Sequence, residues 1–575
     1  MRKMLKILSL YKRSELAILI LVFLQTLTDL YLPTMMAEIV DKGVVNGDIR
    51  FILTLGGAML LVSGVGGICS VVAAYYSARL ATGFAKNLRS KLFSHVTTFG
   101  QEEFDKIGSS SLITRTTNDI AQLQQVLILM LRMMIMAPMM AIGGIIMAVY
   151  QDPQLSLVLV VALPILTLTI IVVARIGLPL YKKVQEKIDK LNMVVREGLT
   201  GIRVIRAFNR IEYERLKFDE ANFDLTSSSL KVNRLMATLM PIMMLVLNIS
   251  TIAIVWFGGI RIDQGEMQVG SLMAFIQYAM LILFSLLMFS FMFVLIPRAS
   301  VSITRINEVL DLNPMVKDPS LVKKPKIDKG YIEFKSVTFS YPGAEKPALS
   351  NISFKAEPGQ ITAVIGGTGA GKSTLINLIP RFYDISSGSV EVDGVDIRDM
   401  EQETLRKKIG LVPQKSLLFT GTVAHNLSFG NIKASKEDML QATHIAQATE
   451  FINNLKEGFD ASVSQGGVNL SGGQKQRLAI ARALVRKPKI YLFDDCFSAL
   501  DYKTDANLRQ ALSREVKDST IIIVSQRVVT VMDADQIIVL DKGQIVTIGK
   551  HRDLMKNCSI YREIVSSQLS EEEIG

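Results

Sequence analysis

Cysteine is nearly absent. Cys69, Cys496 and Cys558 stand far apart among 575 residues and form no CxxC, so neither a disulfide framework nor a thiolate zinc site is implied. Histidine is equally scarce. The four residues (His95, His425, His444 and His551) form no HExxH pattern, which argues against a metallohydrolase. Charged residues make up only 20% of the chain, against about 25% in ordinary soluble domains. Hydrophobic residues reach 49% and the mean hydropathy is +0.33. These values exclude a disordered chain and argue against a wholly soluble one. Acid is the weaker sign: 53 Asp and Glu face 64 Lys and Arg, a net +11. By itself this excess fits either a nucleic-acid binder or basic residues gathered on one side of a membrane.

The apolar residues that are present fall into six stretches, at about 16–40, 51–77, 124–150, 154–177, 236–260 and 271–297. Each is long enough to cross about 30 Å of hydrocarbon as a helix. Connections after the first, third and fifth are short. Those after the second and fourth are long, charged and helix-like, and together hold 18 Lys and Arg, whereas the three short loops hold Lys42, Arg50 and Arg261. The positive-inside rule then puts the long connections and both termini in the cytoplasm. Ahead of the first span, Met1 to Arg13 mixes leucines with lysines and reads as an amphipathic helix on the membrane surface. Much of the net charge is thus accounted for by topology, without nucleic acid.

Hydropathy falls after Pro297. Residues 1–303 are expected to form the membrane domain and 304–330, ending in KKPKIDKG, a linker. From 331 to 575, short β-rich runs (ITAVI, KIYLF, TIIIV, QIIVL) alternate with helix-like segments, the pattern of an α/β domain with a largely parallel sheet.

Within that domain Ile361–Ile365 is followed by Gly366, Gly367, Thr368, Gly369, Ala370, Gly371, Lys372, Ser373 and Thr374, a GxxxxGK[ST] loop between a strand and a helix. Its glycines let backbone N–H groups close around phosphate oxygens. Lys372 is expected to reach the β- and γ-phosphates of ATP, and the Ser373 hydroxyl to ligate Mg²⁺. Ile490-Tyr-Leu-Phe-Asp494 is an apolar strand ending in a carboxylate, as a Walker B element requires, and places Asp494 beside the ion.

Leu470-Ser471-Gly472-Gly473-Gln474 followed by KQRLAIARAL resembles the signature motif of ATP-binding-cassette (ABC) ATPases. In that family two cassettes dimerise head to tail, and the signature of one caps the γ-phosphate held by the P-loop of the other. The resemblance assigns adenine stacking to Tyr341. It makes Gln414, in LVPQ, the Q-loop residue that senses Mg²⁺ and the membrane domain, and places Asp501, in Ser498-Ala-Leu-Asp501, in the D-loop. It covers the whole chain. Six spans with two long cytoplasmic extensions, fused to one cassette, are similar to an ABC exporter half-transporter, with Phe104-Asp105 and Ser111–Asp119 in one coupling region and Gly201–Phe208 with Ile211–Phe218 in the other. The implied fold class is an α-helical membrane domain fused to an α/β P-loop nucleotide-binding domain, with ATP and Mg²⁺ as cofactors.

Three positions depart from the family pattern. Asp495 stands where the family usually has the Glu that activates the attacking water, and its side chain is one methylene shorter. Gln526 replaces the switch histidine and cannot carry its positive charge. Gln465 stands for an acidic residue before the signature. An intact P-loop with a weakened water-activating set is expected to bind ATP firmly and hydrolyse it poorly. This resembles the degenerate-site subunit of heterodimeric bacterial multidrug exporters, whose partner would supply Glu and His. A homodimeric lipid or drug exporter and an exporter-fold siderophore importer are the alternatives. Asp29 and Arg132 are the ionisable residues within spans; Asp29 either draws a cationic drug or pairs with Arg132. The methionines of the third, fifth and sixth spans either line an adaptable cavity or face lipid and neighbouring helices. An amphipathic substrate, membrane lipids and the bacterial plasma membrane complete the expectation.

Overall fold

The computed structural model describes residues 11–569, without the side chains of 290–295, 297 and 298. Most of the expected surface helix over Met1–Arg13, and the side chain of Met292, lie outside the described residues. The chain divides into two compact units, residues 11–97 with 108–312 and residues 98–107 with 313–569.

The first unit carries six helices long and apolar enough to cross a membrane. Lys12–Glu38 continues through a wider turn at Ile39–Val44. Ile49–Val96, Leu157–Thr200 and Ile211–Asp263 run for 48, 44 and 53 residues, or roughly 65–80 Å, more than twice the hydrocarbon thickness. The apolar stretches and the charged connections are therefore continuous helices. Ile120–Gln151 and Val269–Asp311 complete the set; the last passes residue 303 without a break. Prolines 33, 138, 164, 179 and 241 lie inside these helices, a placement that spanning helices tolerate because neighbours re-satisfy the freed carbonyls.

Packing is closest where small or shape-matched residues meet. Ile18 and Val22 bury against Ala73 and Leu80. Tyr278, fully buried, donates to the Leu30 carbonyl at 2.8 Å and shares a 2.6 Å hydrogen bond with the Thr34 hydroxyl. At the short-loop end, Arg261 Nε donates to buried Asp152 at 2.8 Å, and the Gly270 N–H donates to Asp41 at 2.6 Å. A side chain at Gly270 would meet the Ala37 carbonyl at 2.3 Å, so only glycine allows this approach. Arg132 donates to Ser70 Oγ at 3.3 Å. Among the described residues Asp29 and Arg132 form no ion pair with each other, and the buried Gln25 leaves Oε1 without a partner. Met140 and Met243 are buried, whereas Met134, Met240, Met244 and Met280 are exposed.

The second unit has a six-stranded sheet in the order β12-β11-β3-β10-β9-β6, comprising β3 (Ile361–Ile365), β6 (Ile409–Val412), β9 (Ile490–Asp494), β10 (Thr520–Val524), β11 (Gln536–Asp541) and β12 (Gln544–Gly549). All pairs are parallel except β11–β12. A four-stranded antiparallel sheet, β2-β1-β4-β5, packs beside it with β1 (Ile332–Phe339), β2 (Leu349–Ala356), β4 (Ser387–Val392) and β5 (Val395–Asp396). A two-residue ribbon joins β7 (Gly421–Thr422) to β8 (Ser462–Val463). The central strands β9 and β10 are buried at every position, as expected of a sheet covered on both faces.

Residues 98–107 belong to this unit. The helix Gln101–Ile107 is bonded there by two acids. Glu103, buried, accepts from the N–H groups of Gly100 at 2.8 Å and Met315 at 2.9 Å, and Asp105 accepts from the Tyr383 hydroxyl at 3.3 Å. Burial, followed by the Asp105 charge, pushes the Tyr383 phenol well above its usual range.

The end of the linker is fixed by a buried carboxylate. Asp393 Oδ1 accepts from the N–H groups of Lys329, Gly330 and Tyr331, at 3.3, 2.8 and 3.0 Å, and Oδ2 meets Lys408 Nζ at 2.6 Å. Asp393 itself has φ +52°, a conformation asparagine also tolerates. Asp393→Ala orphans three backbone donors and leaves the Lys408 ammonium with Asp328 alone, at 2.6 Å, and is expected to cost about 3 kcal/mol. Asp393→Asn keeps the backbone acceptor and is expected to lose less. Thermal unfolding of the two variants beside the parent checks the order.

Candidate nucleotide site

Strand register builds the site. β10 lies between β3 and β9, with Val524 paired to Val364 on one side and Asp494 on the other. The loops leaving these three strands therefore start side by side, at the carboxyl edge where parallel sheets bind ligands. They carry the P-loop, Asp495 and the switch position.

The P-loop has the shape its glycines permit. Gly369 and Gly371 adopt φ +79° and +97°, open to glycine at little cost. At Gly366 a Cβ would sit 2.1 Å from the Leu540 carbonyl. Lys372 Nζ donates to the carbonyls of Gly366 (2.9 Å) and Gly367 (2.7 Å). An ammonium has three N–H groups, so this geometry leaves one for a phosphate oxygen. Burial lowers the Lys372 pKa, against the opposing charges of Asp495 and Asp494. Ser373 Oγ donates to Asp494 Oδ1 at 3.0 Å, which places a hydroxyl and a carboxylate together as hard oxygen donors of the kind Mg²⁺ takes. Burial raises the Asp494 pKa, and the Ser373 hydrogen bond partly offsets it.

Asp495 follows directly, buried and in the left-handed region at φ +43°. Its N–H is fixed by the Val524 carbonyl at 2.8 Å. Gln414 Nε2 reaches Oδ2 at 3.3 Å, at the long end of hydrogen bonding. Oδ1 is buried without any partner. Tyr341 is partly exposed and hydrogen-bonds the Thr374 hydroxyl at 3.0 Å. Its ring makes edge contacts with Phe339 and Tyr383, so one end of the P-loop has an aromatic platform.

The other positions singled out from sequence serve their own helices. Ser471 and Gln474 form a reciprocal capping box on Gly472–Val485, with contacts of 3.3 and 2.9 Å; Gly472 and Gly473 open that helix. Asp501 caps Tyr502–Glu515 by accepting from the Thr504 N–H at 2.9 Å and its hydroxyl at 2.8 Å, and the first of these bonds is the main reason its pKa is lowered. Gln526 and Gln465 are exposed. Sequence reasoning missed Arg527, which donates to the Ser498 carbonyl at 2.6 Å, and Gln568, which bonds the backbone around it. Side-chain bonds to backbone leave no spacing pattern to read.

Comparison with known proteins gives the family of both units. Residues 16–287 match the ABC transporter transmembrane region, and 349–498 match the ABC transporter family. The chain is 44% identical over 569 residues to an uncharacterized ABC transporter ATP-binding protein of Mycobacterium tuberculosis, covering 98% of this chain and 97% of that one. It is 38% identical to the uncharacterized ABC transporter ATP-binding protein YfiB of Bacillus subtilis, covering 96% of each. An ATP-dependent lipid A-core flippase of Pseudomonas aeruginosa is 32% identical, over 91% of this chain and 87% of that one. A solved bacterial Atm1-family ABC exporter with ATP bound superposes with a TM-score of 0.82 at 24% identity, over 98% and 99% of the two chains, and shares the fold. With six spanning helices fused to one cassette, the chain belongs to the ABC transporter family and is a multi-pass membrane transport ATPase with the fold of an exporter half-transporter.

Proposed function

We propose that this chain is one subunit of a heterodimeric exporter of amphipathic drugs or lipids in the bacterial plasma membrane, with its cassette and termini cytoplasmic. Its own P-loop binds ATP with Mg²⁺ and turns it over slowly, while its signature completes a faster site on a partner that carries Glu and His. The observation that carries this reading is the environment of Asp495. One carboxylate oxygen has no partner and the other has only a long contact from Gln414, so the group that would orient water is both short and loosely aimed. A displacement of about 1 Å costs on the order of 10²-fold in rate, and Gln526 adds no charge to compensate.

In this reading the Lys372 ammonium meets the β- and γ-phosphates, Tyr341 stacks on adenine, and Ser373 with Gln414 ligates the metal while Asp494 faces it from outside. Mg²⁺, when bound, neutralises phosphate charge. Ser471, Gly472, Gly473 and Gln474 face the partner's nucleotide. The flippase relatives, 29–33% identical, favour a lipid-like substrate and keep a homodimeric lipid exporter as the second reading.

Lys372→Ala removes a charge-assisted donor and is expected to weaken ATP binding roughly 10- to 100-fold, as read by titration with a fluorescent ATP analogue. Asp495→Glu combined with Gln526→His is expected to raise the kcat of the chain purified alone by roughly 10- to 100-fold. Fast, drug-stimulated hydrolysis by the unaltered chain alone would overturn the heterodimer.

A further inference from the structure

The last helix of the described chain, Ser559–Ser566, is bolted to one face of the parallel sheet. Tyr561 and Val565 are wholly buried with Leu554 and Cys558 against Ala363, Ile365, Val528, Val531, Ile537 and Val539. The Tyr561 hydroxyl is hydrogen-bonded to His551 Nδ1 at 2.7 Å. Tyr561 and Val565 share one helical face. The turn that follows Ser566, closed by the Gln568 N–H on the Val565 carbonyl at 3.0 Å, brings Gln568 beside the loop that leads into Val528.

There its amide brackets Arg527. Gln568 Nε2 donates to the carbonyl of Gln526 at 2.7 Å, and Oε1 accepts from the Val528 N–H at 2.9 Å. The turn Val528–Val531 has no capping side chain of its own at Arg527, so the C-terminal glutamine satisfies its first N–H from outside. Between the two bonds, the Arg527 N–H donates to Ser525 Oγ at 3.0 Å and its guanidinium to the Ser498 carbonyl at 2.6 Å. Ser498 Oγ donates in turn to the Asp495 carbonyl at 2.8 Å. The sheet fixes the chain as far as Ser525, whose N–H donates to the Val364 carbonyl at 3.2 Å.

We infer that Gln568 is a positioning residue for ATP hydrolysis: by clamping both sides of Arg527 it sets the direction in which the residue-526 side chain faces the nucleotide. It touches neither nucleotide nor metal. The inference holds whether the second half-transporter is another copy or a different chain.

The test uses the full-length chain in lipid nanodiscs with Mg²⁺ and ATP, on whichever of the parent and Asp495→Glu backgrounds hydrolyses faster. That choice keeps the result separate from the pairing reading, which the rate of the parent alone decides. Gln568→Ala is expected to lower kcat roughly five- to tenfold, with the KM for ATP held within about twofold. Added to Gln526→Ala, it is expected to change kcat by less than about twofold, because the side chain it aims is already gone. Gln568→Glu keeps the acceptor for Val528 and loses the donor to Gln526; it follows the same pattern and serves if the alanine variant does not fold. An unchanged kcat in Gln568→Ala overturns the inference. So does an equal loss in the Gln526→Ala background, or a loss of kcat matched by a rise in KM, since each marks general loosening.

Discussion

The parallel register of β3, β10 and β9 is the constraint on which the nucleotide site depends. A one-residue slip in a strand buried on both faces would exchange its two packed surfaces, and β9 and β10 have no exposed position to absorb the change. With Val524 locked between Val364 and Asp494, the phosphate loop, the Walker B carboxylate and the switch loop leave the sheet at one level. The antiparallel sheet reaches that edge, with β2 leading into β3 and the Ala348 carbonyl against both Gly371 and Gly543. The linker clamp at Asp393 holds the opposite, amino ends of the strands, where the Thr520 hydroxyl donates to the Gly330 carbonyl at 2.6 Å.

Electrostatics at this edge are a balance of groups that cost energy separately. A buried ammonium is disfavoured by its desolvation, and a buried carboxylate likewise; Lys372 and Asp494 show both shifts. Their mutual attraction offsets part of each; Asp495 adds to the relief of Lys372 but, as a like charge, pushes Asp494 further up. The site is thus organised for an anion with a divalent cation, which together would answer the remaining donor of Lys372 and the oxygens of Ser373 and Asp494. Asp495 is the member that this balance serves least, with one oxygen unsatisfied. Such a group persists in a folded protein when surrounding bonds over-determine it, and here its backbone is held on one side by Val524 and on the other by Ser498.

Much of this was legible in the amino-acid sequence. Six apolar stretches became six spanning helices, and strand, glycine loop and helix followed in the order the GxxxxGK[ST] spacing requires. The pairing of Asp494 with Ser373 across 121 positions was anticipated from motif chemistry. Less legible was continuity. Hydropathy separates an apolar span from a charged extension, but helix formation follows hydrogen bonding and ignores that border, so Ile49–Val96 and Leu157–Thr200 run through it. Polar partners in the membrane unit were also beyond reach: Arg132 found a serine hydroxyl on a neighbouring helix, a contact set by helix rotation, which composition does not encode.

The segment 98–107 shows the same limit in sharper form. Its sequence lies within the match to the transmembrane region, yet it groups with residues 313–569. The cause is local chemistry: Glu103 supplies an acceptor to the N–H groups of Gly100 and Met315, and Asp105 one to Tyr383. A ten-residue stretch folded with the cassette is continuous in sequence, on each side, with helices of the first unit. Any displacement of the cassette must therefore pull on Ile49–Val96 and on the chain from Ser109 onward, or break those hydrogen bonds. In an ATPase whose work is done in the membrane, coupling of this kind is a consequence of chain connectivity.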